Sequence, residues 1–127
     1  MMPIKIIHTA LIELKNDDRG TMQVLDVVKR CGEYVSVVVA HEAGYHMTAE
    51  GEDYRQKMLN LDKRRSQSHD ALIDAIIICC RYLKKHYPGK FPDGGIYPDP
   101  THLLERNRRA IGDWAGRISN AMFLSRS

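Results

Sequence analysis

The stretch MLNLDKRRSQSHDALIDAIIICCRYLKKHY, residues 58–87, is the longest uninterrupted helical pattern in the chain. On a helix that turns about 100° per residue, its apolar side chains fill roughly 200° of the circumference. They are Leu72, Ile73, Ala75, Ile76, Cys79, Cys80, Tyr82 and Leu83. Since a surface helix has a narrower apolar stripe, we expect this helix to be wrapped on most sides by the rest of the chain.

Length and composition predict a single domain over residues 1–127. A chain of 127 residues with 43% hydrophobic residues can bury a core without a metal or a disulfide, and we expect no cofactor. The cysteines, Cys31, Cys79 and Cys80, are odd in number and lie on apolar helix faces, which predicts reduced core thiols and a cytoplasmic location. Neither a signal-peptide pattern nor an apolar run of about 18 residues is present, which predicts a soluble, unexported protein. The net charge of +3 is only mildly basic, so it selects no class of partner.

The remaining patterns predict an all-α antiparallel bundle of three long helices plus a short N-terminal helix. The short helix covers about residues 3–15, with apolar residues at helical spacing, and a strand through Ile4 and Ile6 is the alternative. Asp17, Asp18 or Thr21 can cap the second helix, which extends to about residue 47. Its apolar face comprises Val24, Val27, Val28, Cys31, Tyr34, Val35, Val38 and Val39.

The second half of the chain follows the same logic. The central helix begins near residues 48–53 and ends before Pro88, so we expect it to exceed about 30 residues. A loop rich in proline and glycine follows over residues 88–100, and loops of that size are often functional. Asp99 as N-cap and Pro100 as first residue open the last helix, which we expect to continue to about residue 124.

Three polar residues interrupt the apolar line of the central helix, and they are the first candidate site. Asp62, Arg65 and His69 lie within about 60° of one another on the helix, so Asp62 can reach Arg65 and Arg65 can reach His69. One interpretation is a buried ion-pair network that sets helix register. The alternative is a ligand pocket in which Arg65 holds an anion and His69 transfers a proton.

A second polar pair, Glu42 and His46, lies one turn apart on the preceding helix. An antiparallel turn near residue 48 places Glu42 level with about Tyr54, roughly 20 Å from His69, so we expect two separate clusters. The histidines of the segment HEAGYH, residues 41–46, are five residues apart, whereas a zinc-protease helix needs a spacing of four. No metal site is therefore expected at this segment.

The doublet His69-Asp70 is similar to that of the His-Asp metal-dependent phosphohydrolases, which are also all-helical. That resemblance implies a further upstream histidine, His41 or His46, and a downstream aspartate, Asp113. Asp70 lies on the polar side of the helix, so the motif lacks its structural context.

Basic residues concentrate where the central helix ends and the last helix begins. In an antiparallel hairpin these residues lie at one level and form either a solvated face or a phosphate-binding patch, with Tyr87, Phe91 and Tyr97 as possible stacking groups. The candidate patch comprises Arg81, Lys84, Lys85, Arg106, Arg108 and Arg109.

The pattern Leu61-Asp62-x-x-Arg65-x-x-x-His69-x-x-x-Ile73 resembles a family of uncharacterised small bacterial proteins with an Arg-x-x-x-His-[Asp/Asn] signature. The resemblance implies an all-helical fold without an established activity, and it implies no catalytic residues. Our leading functional hypothesis is a non-enzymatic cytoplasmic binding or regulatory module. We expect it to form a homodimer or to bind a protein partner, and we expect no association with a membrane. A nucleic-acid-associated protein is the first alternative, and the phosphohydrolase is the second.

Overall fold

The fold is built from α-helices, and the computed structural model describes residues 3–45, 51–91 and 95–126. The helices are α1 (Pro3–Glu13), α2 (Asp18–Tyr45), α3 (Glu52–His86), α4 (Pro100–Leu104) and α5 (Arg108–Arg126). No β-strand occurs in these described ranges, so the predicted all-α class is confirmed and the alternative strand at the N-terminus is wrong. Helix α3 has 35 residues, in agreement with its predicted length.

The second half of α3 is deeply buried, as its wide apolar face predicts. Leu72, Ile73, Ile76, Cys79 and Leu83 are all fully buried. They pack with α1, with the first half of α2 and with one face of α5. Helix α2 packs against both α3 and α5, while α1 contacts α2 and α5.

The turn between α1 and α2 is closed by one carboxylate. It belongs to Asp17, which is one of the predicted capping residues. Asp17 Oδ1 accepts a hydrogen bond from the backbone N–H of Gly20 at 2.9 Å. Its Oδ2 accepts hydrogen bonds from the hydroxyls of Tyr82 at 2.7 Å and Tyr87 at 2.8 Å. These three hydrogen bonds hold the pKa of Asp17 at about 2. The start of α2 is thereby tied to the end of α3, which makes the two helices antiparallel neighbours.

The loop after α3 contributes to the core. Gly95 has φ of 66°, and a Cβ at this position would lie 2.8 Å from Cys80 Sγ, so only glycine fits here. The next two residues, Ile96 and Tyr97, are buried. Tyr97 shares a hydrogen bond of 3.0 Å with His102 and places its ring 5.1 Å from that of Trp114, centroid to centroid. The loop is therefore a packed structural segment over its described residues.

The predicted continuous last helix is wrong, because the chain breaks between Leu104 and Arg108. Asp99 caps α4 as predicted, through its hydrogen bond of 3.0 Å from the Thr101 N–H. Arg106 then adopts φ of 50°, a left-handed conformation that ends the helix. Asn107 starts a new one, since its side-chain oxygen accepts from the Ala110 N–H at 3.1 Å.

Candidate functional site

The predicted polar trio of α3 separates into two groups, and a residue of α2 joins the first. His41, which is only 3% exposed, contacts the Asp62 carboxylate through Nε2. The Arg65 guanidinium lies 3.8 Å from the same carboxylate oxygen. Asp62 therefore bridges a buried histidine on one side and a half-buried arginine on the other. The predicted Asp62–Arg65 contact is present, but its distance of 3.8 Å is longer than a hydrogen bond.

His69 forms the second group with an aromatic ring of α2. It is 2% exposed, and its ring centroid lies 5.4 Å from that of Tyr34. Its Nδ1 is 3.9 Å from Asp70, and its Nε2 is buried without a hydrogen-bond partner among the described residues. Burial lowers the pKa of His69, and the nearby Arg108 guanidinium lowers it further. Burial therefore favours the neutral form of the imidazole. The predicted Arg65–His69 contact is not formed.

The second predicted pair is Glu42 and His46, and its described member, Glu42, is not buried. Glu42 is exposed, and His46 lies outside the described residues. The neighbouring residue His41 faces α3 instead, because the buried positions of α2 continue as Tyr34, Val37, His41 and Gly44. Adjacent helical residues differ by about 100° in direction, so a shift of one position exchanges a buried residue for an exposed one.

The candidate basic patch is divided in the structure. Arg106 pairs with Asp70 at 3.2 Å and with Asp74 at 3.3 Å. Arg108 lies 3.5 Å from the hydroxyl of Ser66. Arg81, Lys84 and Lys85 lie further along α3, about 10 to 17 Å beyond Asp74 at 1.5 Å per residue. The prediction of a single level was wrong because α4 carries the chain back along α3 before α5 begins.

The proposed stacking residues serve the core. Tyr87 donates its hydroxyl to Asp17, and Phe91 packs edge-on against Tyr87 at 6.2 Å between ring centroids. Tyr97 is 2% exposed. Tyr87 and Phe91 are partly buried and pack against the core.

A groove between α2 and α3 is a feature that the sequence did not reveal. Two adjoining cavities, of about 470 and 270 Å³, are lined by residues of these two helices. We call them together the open groove, which is lined by Arg19, Met22, Gln23, Asp26, Ala75, Ile78, Arg81, Tyr82, Lys85 and His86. No residue of α1, α4 or α5 lines it, so the helices that the structure describes leave this side of the α2–α3 pair uncovered.

The middle of the open groove is apolar, and we call Met22, Ala75 and Ile78 its apolar centre. Met22 is 70% exposed and Ile78 is 56% exposed, whereas Ala75 below them is buried. A short side chain at the floor between two long ones leaves a depression that an incoming apolar side chain can fill. The side-chain oxygen of Gln23 is buried nearby without a hydrogen-bond partner among the described residues.

One end of the open groove is basic. The cavity of about 270 Å³ is lined by Arg19, Arg81, Lys85 and His86, and no carboxylate is among the described residues that line it. We call these four residues the basic end. Within the described part of the chain, none of the first three forms an ion pair, and the Arg19 guanidinium lies 5.8 Å from the centre of the Tyr82 ring.

Other functional groups that the sequence suggested are not assembled. Among residues 3–45, 51–91 and 95–126, no three side chains of His, Cys, Asp or Glu come together as a metal site. The His-Asp phosphohydrolase hypothesis therefore has no geometric support from these residues. Cys31 and Cys79 are free and buried, and burial raises the pKa of each thiol to about 12.

Comparison with known proteins gives a family whose function is unknown. A family model described as a protein of unknown function (DUF3232) matches residues 4–127. No curated protein and no solved structure matches the chain. In the described residues, no helix has the length and apolar character needed to cross a membrane.

Proposed function

We propose, from the premise that this chain belongs to the DUF3232 family of proteins of unknown function, that it is a non-enzymatic protein-binding module of the bacterial cytoplasm. Its binding surface is the open groove, and its partner is a helix of another protein. The family description assigns no activity, so the proposal depends on the geometry of the groove.

The observation that carries the proposal is the exposure of Met22 and Ile78 on a side of the α2–α3 pair that no other described helix covers. Each of these side chains is more than half exposed. Burying a large apolar side chain is worth about 1.5 to 3 kcal/mol, so a partner that covers both gains appreciable free energy. Two parallel ridges with a depression between them are the shape that receives a third helix.

The direct test is a selection of binders with a matched counter-target. A displayed library of amphipathic helical peptides is selected against the wild-type chain, and the enriched peptides are then measured against Ile78→Ser. We expect enriched peptides to lose affinity for this variant about tenfold, because the apolar centre is interrupted.

The matched control is Ile12→Ser, since Ile12 is 69% exposed on α1, away from the groove. Peptides that bind Ile78→Ser as tightly as wild type would show that the groove is not the binding surface. Failure to enrich any helical peptide would also count against the proposal.

Homodimerisation is a second candidate, favoured by the exposure of Ile78 on α3. If it occurs through the groove, light scattering at micromolar concentration gives a dimeric mass for the wild type and a monomeric mass for Ile78→Ser. A monomeric wild type contradicts this candidate.

Nucleic-acid binding is a third candidate, favoured by the absence of ion pairs at Arg81, Lys84 and Lys85 among the described residues. Phosphate contacts release counterions, so binding to oligonucleotides should fall steeply as salt increases. A chain that binds neither duplex nor single-stranded oligonucleotides at low ionic strength removes this candidate.

A further inference from the structure

We infer that the partner of the open groove is an acidic amphipathic helix. Its apolar side chains cover Met22 and Ile78. Its carboxylates meet the basic end, at Arg19, Arg81 and Lys85. This inference depends on the proposed function and adds the chemistry of the partner.

The charges of the groove support an acidic partner. Three permanent cations share a cavity of about 270 Å³, and no carboxylate lies among the described residues that line it. By contrast, Arg106 pairs with Asp70 at 3.2 Å and with Asp74 at 3.3 Å. Like charges held close together repel one another, and an anionic partner relieves that repulsion and accelerates encounter. Among the described residues, Arg19, Arg81 and Lys85 therefore have no ion-pair partner, and a partner protein can supply the counter-charge.

The apolar centre makes a helix a better occupant than a phosphate backbone. Ala75 and Ile78 lie within about three turns of Lys85, so apolar and cationic contacts occur along roughly 15 Å of α3. An amphipathic helix presents apolar side chains at intervals of three and four residues over such a length. A phosphate backbone would use the cations but would leave Met22 and Ile78 uncovered.

A second copy of the chain fits the groove less well. Asp26 lines the groove, and Glu33 lies about two turns further along α2. Arg30 already pairs with both, at 3.6 Å to Asp26 and 3.3 Å to Glu33. This face of a second molecule therefore has no unpaired carboxylate among these residues to offer to the basic end.

The test compares two synthetic peptides that differ only in charge. Both have about 15 residues, enough for marginal helicity, with leucines on one face. The polar face carries glutamates in one peptide and glutamines in the other. Fluorescence anisotropy with the full chain should show that the acidic peptide binds about tenfold more tightly at low salt, as expected for several exposed ion pairs. The difference should shrink as salt increases.

Paired variants identify the residues responsible. Removing two cations with Arg81→Gln and Lys85→Gln should abolish the preference for the acidic peptide and leave the affinity for the neutral peptide unchanged. Lys84→Gln is the matched control, because Lys84 lines a neighbouring cavity with Leu104 rather than the groove. Ile78→Ser should weaken both peptides about tenfold. Leu104→Ser is its control, since Leu104 is 86% exposed outside the groove.

The outcomes separate this inference from the proposed function. Equal binding of both peptides, lost in Ile78→Ser, would overturn the acidic preference and leave the helix-binding groove intact. A dimeric mass that Ile78→Ser converts to a monomer, without peptide binding, would replace the acidic helix by a second copy. Salt-dependent oligonucleotide binding that the Arg81 and Lys85 changes remove would replace it by a nucleic acid. If neither peptide binds, and the groove variants change neither the mass of the chain nor its oligonucleotide binding, both the inference and the proposed function are overturned.

Discussion

The two halves of the α2–α3 pair are built differently, although both are antiparallel contacts between the same helices. The core half comprises residues 18–34 of α2 and 69–86 of α3, and it packs with α1 and α5. The distal half comprises residues 35–45 and 52–65. There Val37 and Leu61 are buried apolar residues, and His41 is a buried polar one in contact with Asp62.

The difference shows two ways to set the register of a helical pair. Where other helices pack against the pair, buried apolar area sets the register, and where they do not, a polar contact does. Two helices alone bury little area, so apolar packing specifies their register weakly. A histidine and a carboxylate that face each other at one level disfavour displaced registers, because displacement would leave a buried polar group without its partner. We therefore interpret His41 and Asp62 as a register device of the distal half.

The largest expected effect compares matched leucine truncations in the two halves. Leu72→Ala removes a fully buried side chain of the core half, and we expect a loss of about 3 to 4 kcal/mol in the free energy of unfolding. Leu61→Ala, at 7% exposure in the distal half, should cost about 1 to 2 kcal/mol, since the thinner packing there can relax. Denaturant titration of both variants measures these values. Equal losses would contradict the distinction between the halves.

The next effect concerns the polar contact of the distal half. Asp62→Ala removes the carboxylate that His41 contacts, and we expect a loss of roughly 1 to 2 kcal/mol because Asp62 is half-exposed. Replacing both residues by leucine should be nearly neutral in stability. Hydrogen exchange should show that Asp62→Ala increases opening in residues 35–45 and 52–65 while leaving residues 69–86 protected.

If Asp62→Ala instead increases exchange uniformly in both halves, the halves do not open independently. A double leucine variant as unstable as the single variant would show that His41 and Asp62 do more than satisfy each other.

Sequence reasoning succeeded where the deciding interactions are local or cover a wide face. The core face of α3 was predictable because eight apolar residues exceed what a surface helix carries. The cap at Asp99 was predictable because Asp99 and Pro100 act on their own helix turn.

The errors concern how helices lie against one another. No proline or glycine marks the helix break at Arg106 in the sequence. Ion pairs with α3 hold Arg106 in its position between α4 and α5. The contact between His41 and Asp62 depends on the register across the α2–α3 connection, which no local pattern contains. The open groove depends on which side of the pair α1 and α5 cover.

Acid should weaken the hydrogen bonds of Asp17, which tie the start of α2 to the end of α3, only at very low pH. The folded pKa of Asp17 is about 2, below its ordinary value of 3.8. A carboxylate with a depressed pKa stabilises the fold fully above the unfolded value, and that contribution disappears as pH falls from about 3.8 through about 2. We expect Asp17→Asn to lower the melting temperature at pH 7, and this difference should shrink toward pH 2. Asp18→Asn is the matched control, since Asp18 is an exposed neighbour.

The smallest expected effect lies at the boundary between the halves, where His69 faces Tyr34. Burial lowers the folded pKa of His69 below 6.5, with Arg108 and Arg106 acting in the same direction and Asp70 opposing them. Between the folded pKa and 6.5 the unfolded chain binds more protons than the folded chain, so stability rises with pH across that window and falls on acidification below 6.5. Nuclear magnetic resonance titration of the His69 ring should give a midpoint below 6.5, and Arg108→Gln should move that midpoint upward because one repelling charge is removed. A midpoint at or above 6.5 would mean that the imidazole is charged or solvated, and the boundary would then belong to the polar distal half rather than to the apolar core.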